Sequence, residues 1–375
     1  MLKQEVIIMA RNGANWYKID FHTHTPESKC FSDEERKDIT PLKWLKAAKD
    51  AGLDAVVITD HNSVGYISEI HKIQNSNEKV NITVFYGIEL CVSVNFTHII
   101  VIFDDALGIK KIEDAVISLG LNRNDWANTE KYVTEDKLKE LCDKFQGQVF
   151  VIPAHFASDK GLGQCNGNAI KQINNLINFH AIEVRNKNDE IEYAKQVNSK
   201  NLAPKLALIT GSDNPSNKGN GRHSVEGFGK AFTWVKMSTL TFEGLRQAFI
   251  DHEQRCINVL QLKEMGEEYN PNAVTHNYIE QVSLSGFSHV DNLSLHFSPY
   301  LNCIVGGRGT GKSTLIESIR CSLDSSRTLS ECQLINATFQ DDGKIETSFR
   351  FGSTDKYQIT CTRNRQNLIT KTTQY

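Results

Sequence analysis

Between Trp16 and Met237 the chain reads as a series of short apolar runs, and most of them stop on an imidazole or a carboxylate. DFHTHT (20–25) closes a run opened by Trp16, Tyr17 and Ile19, and AVVITDH (55–61) ends in Asp60 and His61. ITVFYGIEL (82–90) ends in Gly87 and Glu89, VFVIPAH (149–155) in His155, AIEVRN (181–186) in Arg185 and ALITGSD (207–213) in Asp213. HIIVIFD (98–104) is the exception, because His98 starts it, and FTWVKM (232–237) follows a Gly-rich loop, 214–229. Runs this short and this apolar predict buried strands. Helical stripes at 41–51, 136–145 and 168–178 lie between them. The first has Thr40 as N-cap, Pro41 at the first helical position and Gly52 just past its end. Strands alternating with helices predict an α/β fold with a parallel sheet. Seven or so such units, without a dinucleotide glycine fingerprint, favour a closed or nearly closed barrel over a doubly wound sheet. Chemistry in such barrels collects at the C-terminal strand ends, where these residues fall.

On a strand, His22 and His24 point the same way, so they can share one metal ion. That spacing alone fits two ordinary edge histidines equally well; the later run ends strengthen the metal reading. His22, His24, His61, Glu89, His98, His155 and Asp213, with His223 as an eighth, form the candidate ligand set. Mixed imidazole and carboxylate suits Zn²⁺, Mn²⁺ or Fe²⁺. Eight donors exceed the needs of one ion, so two or three are expected. Glu89 can bridge a pair about 3.5–4 Å apart, with a water acidified between them, the usual equipment for hydrolysing a phosphate ester. His22, His24, Glu89, His155 and Asp213 are the expected catalytic residues. Arg185 joins them as a phosphate clamp, or makes a plain salt bridge. Asp20 and Asp60 are candidates for orienting neighbouring imidazoles. Lys160 is a loop cation that could assist. His71 and His180 read as structural.

A length of 375 residues suggests two domains. We expect a first domain over 1–260, a linker over 261–280 and a second domain over 281–375. Hydrophobic and charged fractions of 39% and 23% are those of a globular protein in water. No apolar run approaches the roughly 20 residues needed to span a bilayer, so no membrane partner is expected. Nine cysteines without a CxxC spacing argue for reduced thiols and a cytoplasmic location. Residues 281–375 carry ten Lys and Arg against eight Asp and Glu, and the whole chain has a net charge of −3. Neither part is basic enough to grip nucleic acid by charge alone, so any such partner requires a local patch.

In the second domain, VSLSGFSHVDNLSLHF (282–297) predicts a hairpin or meander, LNCIV (301–305) a strand, and 333–375 further polar strands. GGRGTGKST (306–314) then fits Gly-x4-Gly-Lys-Ser between a strand and a helix. Gly306, Gly307, Gly309 and Gly311 would let backbone N–H groups surround phosphate oxygens. Lys312 would reach the outer phosphates, and Ser313 with Thr314 would hold Mg²⁺, so ATP with Mg²⁺ is the expected ligand. No strand ending in Asp-Glu follows, so a longer parent ATPase is expected.

HTH at 22–24, TDH at 59–61, GIE at 87–89 followed by His98, PAH at 153–155 and GSD at 211–213 resemble the polymerase and histidinol phosphatase (PHP) domain over about 17–250. The resemblance implies a distorted (β/α)7 barrel with two or three metal ions and phosphoesterase or nuclease activity. By position, His22, His24, Glu89 and Asp213 would hold one ion, and Glu89, His98 and His155 a second. For a third ion, Cys30 or nearby Asp33 stands where an acidic or imidazole ligand is usual, followed by His61. Pro215, which cannot coordinate, stands where a histidine is usual, and an insertion at 214–222 would let His223 replace it. Residues 281–375 resemble the amino-terminal lobe of ABC-type ATPases of the structural-maintenance-of-chromosomes kind. The pairing resembles bacterial PHP–ATPase proteins linked to defence against phage. It implies a nuclease acting on DNA or RNA, controlled by ATP, with self-association through the ATPase lobes. Two other readings remain open at this point: a phosphatase of nucleotides or small phosphorylated metabolites, and a non-catalytic assembly module driven by ATP.

Overall fold

The computed structural model describes residues 13–266, 269–288, 292–324, 332–351, 355–363 and 365–372. The chain divides into one unit over Asn15–Tyr269 and another over Asn270–Tyr375 with the residues up to Ala14.

The first unit is built on nine strands: β1 (Asn15–Thr23), β2 (Ala55–Ile58), β3 (Thr83–Val92), β4 (Thr97–Phe103), β5 (Val149–Pro153), β6 (Ala181–Glu183), β7 (Ala207–Ile209), β8 (Thr233–Met237) and β9 (Cys256–Ile257). Seven of them form one sheet in the order β5-β4-β3-β2-β1-β8-β9, and β6 with β7 makes a separate parallel pair. That pair bridges the ends of the sheet. The His180 backbone N–H donates to Val151 in β5, and Thr210 N–H donates to Thr233 Oγ1 in β8. The result is a distorted, nearly closed barrel. It is not the all-parallel sheet expected from the alternation. β1, β2 and β3 run parallel, but β4 is antiparallel to both neighbours and β8 is antiparallel to β1. This removes the exception at His98. An antiparallel strand begins where its neighbours end, and His98 lies opposite Cys91 at the end of β3.

Successive strand residues face opposite sides. Val56, Ile58, Ile88 and Val101 pack on a helical layer that includes Trp44, Leu45, Ile67, Ile70 and Ile112. Ala55, Val57, Ile100 and Ile102 face the other way, into a core shared with Phe21, Phe150, Phe242 and Phe249. The helix Pro41–Asp50 starts as expected, with Thr40 accepting from Lys43 N–H.

The second unit is an antiparallel sheet of β10 (Tyr278–Phe287), β11 (Leu293–His296), β12 (Phe339–Phe351), β13 (Asp355–Thr362) and β14 (Arg365–Thr372), in the order β11-β10-β12-β13-β14. The helix Lys312–Leu323 buries Leu315 and Cys321 against Val282, Leu284, Ile345 and Ile359. The hairpin expected at 282–297 is present as β10 and β11. The strand expected at 301–305 is not. No strand pairs with it among the described residues, and Leu301 and Val305 are 87% and 89% exposed. Strand propensity without a partner does not form a strand. The stretch read as a linker holds most of a helix, Val259–Met265, and the first residues of β10.

Candidate metal centre and nucleotide loop

The chain carries its ligand candidates to one end of the first unit because most of them lie at ends of apolar strands whose positions the core fixes. Glu89 is the hub, and it is 1% exposed. Its two oxygens face different groups. Oε2 lies 3.4 Å from His22 Nε2, 3.6 Å from His24 Nε2 and 2.8 Å from His61 Nδ1. Oε1 lies 2.9 Å from His98 Nδ1 and 3.4 Å from His155 Nε2. Asp213 Oδ1 completes the first group, 3.0 Å from His24 Nε2 and 3.6 Å from His22 Nε2. Both residue sets expected by position therefore converge. The third also assembles. His24, Cys30, His61 and His223 place donor atoms within 4.8 Å of one another. Pro215 pairs with His223 across the base of the 216–222 excursion, and the His223 ring stacks on His24 with centroids 3.9 Å apart. Asp33, the alternative to Cys30, is 72% exposed and pairs with Arg36 and Arg222 instead.

The histidines facing Asp213 are aimed by hydrogen bonds on their other nitrogens, which fixes the face each presents. His22 Nδ1 meets Glu183 Oε2 at 3.0 Å. His24 Nδ1 meets Ser28 Oγ at 3.1 Å, and Ser28 donates to Asp60 Oδ1 at 2.6 Å. His223 Nδ1 donates to the Asp213 carbonyl at 2.7 Å. Asp60 therefore acts on an imidazole as expected, through a serine. Asp20 does something else. It accepts from Ser212 N–H and Oγ and from His22 N–H, fastening the GSD loop to β1. Burial raises its pKa to about 7 against those bonds.

The backbone is bent to fit. His155, Asp213 and Asn214 have φ of 32°, 55° and 23°, values that L-residues rarely adopt and that concentrate at functional sites. Asn214 holds the last bend in place, accepting from His24 N–H and donating to the His24 and Ser224 carbonyls. Gly211 is required because a Cβ there would collide with the backbone N and Cβ of His22.

Two features fit a cation cluster. His155 Nδ1 is buried without a hydrogen-bond partner, and Glu89 Oε2, though 2.8 Å from His61 Nδ1, makes no hydrogen bond of good geometry, whereas most buried polar atoms have one. His22 Nε2 and His24 Nε2 are 3.2 Å apart, a spacing held by one N–H···N hydrogen bond or by a cation bound to both nitrogens. The charge balance agrees. Three carboxylates, Glu89, Glu183 and Asp213, face one guanidinium, Arg185, which pairs with Asp213 Oδ2 at 3.0 Å and Glu183 Oε1 at 3.4 Å, and His22 and His61, both pushed up against burial by the carboxylates around them, His61 to about 10, supply the remaining positive charge. Burial works against the charge on Glu89, but His98, His61 and His22 hold its pKa well below the usual carboxylate range. Burial pushes His24 well down, helped by His223 and His61, whereas Glu183, Glu89 and Asp213 outweigh burial at His22 and raise it. Protonated imidazoles and divalent cations compete for the same lone pairs.

Sequence reasoning missed Glu183, Ser28 and Asn214. Glu183 was legible as a lone carboxylate inside the apolar run AIEV. Attention to the run's end at Arg185 passed over it. Arg185 makes the salt bridges that were one of its two readings, and its side chain is still 28% exposed. His71 and His180 bond Tyr86 and the Val151 N–H.

In the second unit, Gly309 and Gly311 take φ of 81° and 86°. Lys312 Nζ folds back on the carbonyls of Gly306, at 2.7 Å, and Gly307. Thr314 is buried at the start of the helix and Ser313 is exposed.

Residues 281–375 match the family described as AAA domain. A curated relative, the DNA replication and repair protein RecF of Lysinibacillus sphaericus, is 38% identical over 71 residues, covering 18% of this chain and 19% of that protein. The match spans about a fifth of that relative's length. Among solved structures, the chain is similar to a two-domain protein from Bacteroides vulgatus containing a predicted PHP-like metal-dependent phosphoesterase, at 15% identity and TM-score 0.39, covering 99% of both chains. It is also similar to a putative metal-dependent phosphoesterase from Bifidobacterium adolescentis, at 13% identity and TM-score 0.33, covering 52% of this chain and 86% of that one. The first unit is a distorted α/β barrel whose histidine and carboxylate motifs converge at one end, and residues 281–375 carry the Gly-x4-Gly-Lys-Ser loop within their match to an AAA domain. Among the described residues, no helix is long and apolar enough to cross a membrane.

Proposed function

We propose that the chain is a metal-dependent phosphodiesterase that cuts DNA or RNA, controlled by nucleotide in the ATPase lobe and serving defence against phage. The division of Glu89 between two histidine groups supports the hydrolase reading above all, because a carboxylate placed this way holds two cations side by side. His22, His24, Glu89 and Asp213 would hold one ion, Glu89, His98 and His155 a second, and His24, Cys30, His61 and His223 a third. Divalent ions there would supply positive charge to a phosphoryl group and acidify a water. The remaining work belongs to the chain. Glu183 and Ser28 fix the imidazole faces of His22 and His24. Arg185 has donors beyond the two it spends on Glu183 and Asp213, and these can meet a phosphate oxygen entering on the exposed side. Lys312 and the glycine loop bind ATP, and two such lobes closing on nucleotide would join two chains.

The test is a substrate panel with Mn²⁺: labelled single- and double-stranded DNA and RNA, free nucleotides and an aryl phosphate, with His22→Ala as control and ATP present or absent. Cleavage of polymer that His22→Ala abolishes supports the proposal. Turnover of free nucleotides alone would assign a phosphatase. No turnover of any substrate, with metal bound by elemental analysis, removes the hydrolase reading and leaves an ATP-driven assembly module.

A further inference from the structure

Beside the second ion position, where β3 ends and β4 begins, two aromatic side chains stand in solvent. Phe96 is 54% exposed and Tyr132 is 52% exposed, and their rings meet edge to face with centroids 5.7 Å apart. Single exposed aromatics are ordinary. This pair is held out by its backbone. Asn95 and Phe96 have consecutive φ of 51° and 52°, and Thr97 Oγ1 closes the turn on the Val94 carbonyl at 2.6 Å. A bulky residue in that conformation is strained and persists only where surrounding structure enforces it.

The same fastenings tie the pair to the metal ligands. His98 follows Phe96 by two residues, and its N–H donates to the Lys160 carbonyl at 2.8 Å. Tyr132 precedes Val133, which exchanges backbone hydrogen bonds with Cys91 and Ser93 at the end of β3. Asn62, the neighbour of His61, donates to the carbonyls of Asn128 and Lys131 and accepts from Cys91 N–H. A cleft of about 680 Å³ opens at this place, lined by Phe96, Asn95, Thr129, Lys160, Asp159 and Gln164, and Tyr132 adjoins it through its ring contact with Phe96.

An aromatic face, two amides, a carboxylate and a lysine form a set that fits a nucleobase: a π surface to stack on, and donors and acceptors for a base edge. Lys160 adds a cation for the phosphate next to that base. We propose that Phe96 and Tyr132 form a stacking ledge for the base flanking the scissile phosphate, so that the substrate class is an unpaired nucleotide, in a single strand or free. This rests on the phosphoesterase reading of the adjoining centre. It would let a chain with a net charge of −3 hold nucleic acid, since stacking replaces charge.

The experiment measures binding by the metal-loaded chain of a fluorescein-labelled single-stranded oligonucleotide, its abasic counterpart, the matching duplex and a nucleoside monophosphate, with turnover of an aryl phosphate read alongside. Phe96→Ala and Tyr132→Ala should each weaken binding of the single strand about ten-fold, leave the abasic strand unchanged and leave aryl phosphate turnover within two-fold. Phe96→Trp should restore binding, with quenching of its fluorescence by the base. Tighter binding of the strand than of the monophosphate assigns a polymer substrate; the reverse assigns a free nucleotide, and both keep the ledge. Equal losses for intact and abasic strands, or no loss, overturn the ledge while the aryl phosphate activity keeps the phosphoesterase reading. Absence of aryl phosphate turnover in the unmodified chain fails that reading separately, and base-dependent binding then still decides the ledge.

Discussion

Replacing Glu183 with glutamine isolates what one buried carboxylate does for a ligand it orients. Glu183 Oε2 serves two donors at once, His22 Nδ1 at 3.0 Å and the His155 backbone N–H at 2.6 Å, while Oε1 faces Arg185 Nε at 3.4 Å. A glutamine cannot satisfy all three. With its oxygen toward His22 and His155, its NH₂ meets the guanidinium; turned round, its NH₂ meets the His155 N–H. The second arrangement also lets the amide donate to His22 Nδ1, moving the imidazole proton to Nε2, the nitrogen that faces Glu89 and Asp213. Either way the site loses a negative charge and His22 loses its fixed tautomer. Such changes behind a metal-bound histidine typically cost 10–100-fold in affinity, about 1.4–2.7 kcal/mol. Competition against a chromophoric chelator at pH 7.5 reads this directly for Mn²⁺ and Zn²⁺, with elemental analysis giving the number of ions. Thermal unfolding of the chelated protein gives the fold control. An affinity within two-fold of the unmodified chain, with the fold intact, would refute the claim that Glu183 sets the ligand face of His22.

Three further outcomes follow from the structure. Cys30→Ser should remove about one bound Zn²⁺ per chain by elemental analysis, and Co²⁺ added to the unmodified chain should show a near-ultraviolet thiolate band that the variant lacks; an unchanged band would exclude Cys30 as a ligand. Lys312→Ala should weaken binding of a fluorescent ATP analogue at least ten-fold, and undiminished binding would remove the phosphate-gripping role of the glycine loop. His180, half-buried and beside Arg246, has its pKa pushed down to about 4 by that burial, so the unfolded chain protonates first as the pH falls. Its contribution is complete above pH 6.5 and falls by up to about 3 kcal/mol between pH 6.5 and 4. Urea unfolding of the chelated protein should therefore show the gap between the unmodified chain and His180→Asn changing over that window, and a constant gap would contradict the assignment.

What was legible in the sequence follows from how far each signal depends on neighbours. Val57, Ile58 and Val151 announced strands because burial on both faces leaves an apolar run, and the cluster of imidazoles and carboxylates was legible because most of its members sit where those runs stop. Strand direction was not. Whether β4 runs with or against β3 depends on the short turn at 93–96, and a run of Ile and Val looks the same in both directions. This is why His98 looked misplaced until the antiparallel pairing accounted for it. Leu301–Val305 shows the opposite failure, since its apolar pattern has no sheet edge to join among the described residues. Glu183, Ser28 and Asn214 escaped because their roles exist only through partners 4 to 190 positions away, a property that no local pattern carries.

The site also shows how a chain can make metal geometry independent of the metal. In His22, His24 and His223 the Nδ1 atoms are committed to Glu183, to Ser28 and Asp60, and to the Asp213 carbonyl. Glu183, Ser28 and Asp60 are buried, Asp213 is partly so, and all are themselves tied to β1, to β6 or to the GSD loop, so the imidazole orientations belong to the fold. His61 and His98 differ. Their Nδ1 atoms face Glu89 itself, so their positions depend on the charge at the centre. The two kinds of histidine imply a division of labour: the group facing Asp213 is preset, and the group sharing Glu89 settles when a cation takes the place of its protons. Removing metal should therefore broaden the NMR signals of His61 and His98 while leaving those of His22, His24 and His223 sharp. Equal broadening of all five rings would show that the buried partners do not hold the preset group, and the reasoning applied to Glu183 would fail with it.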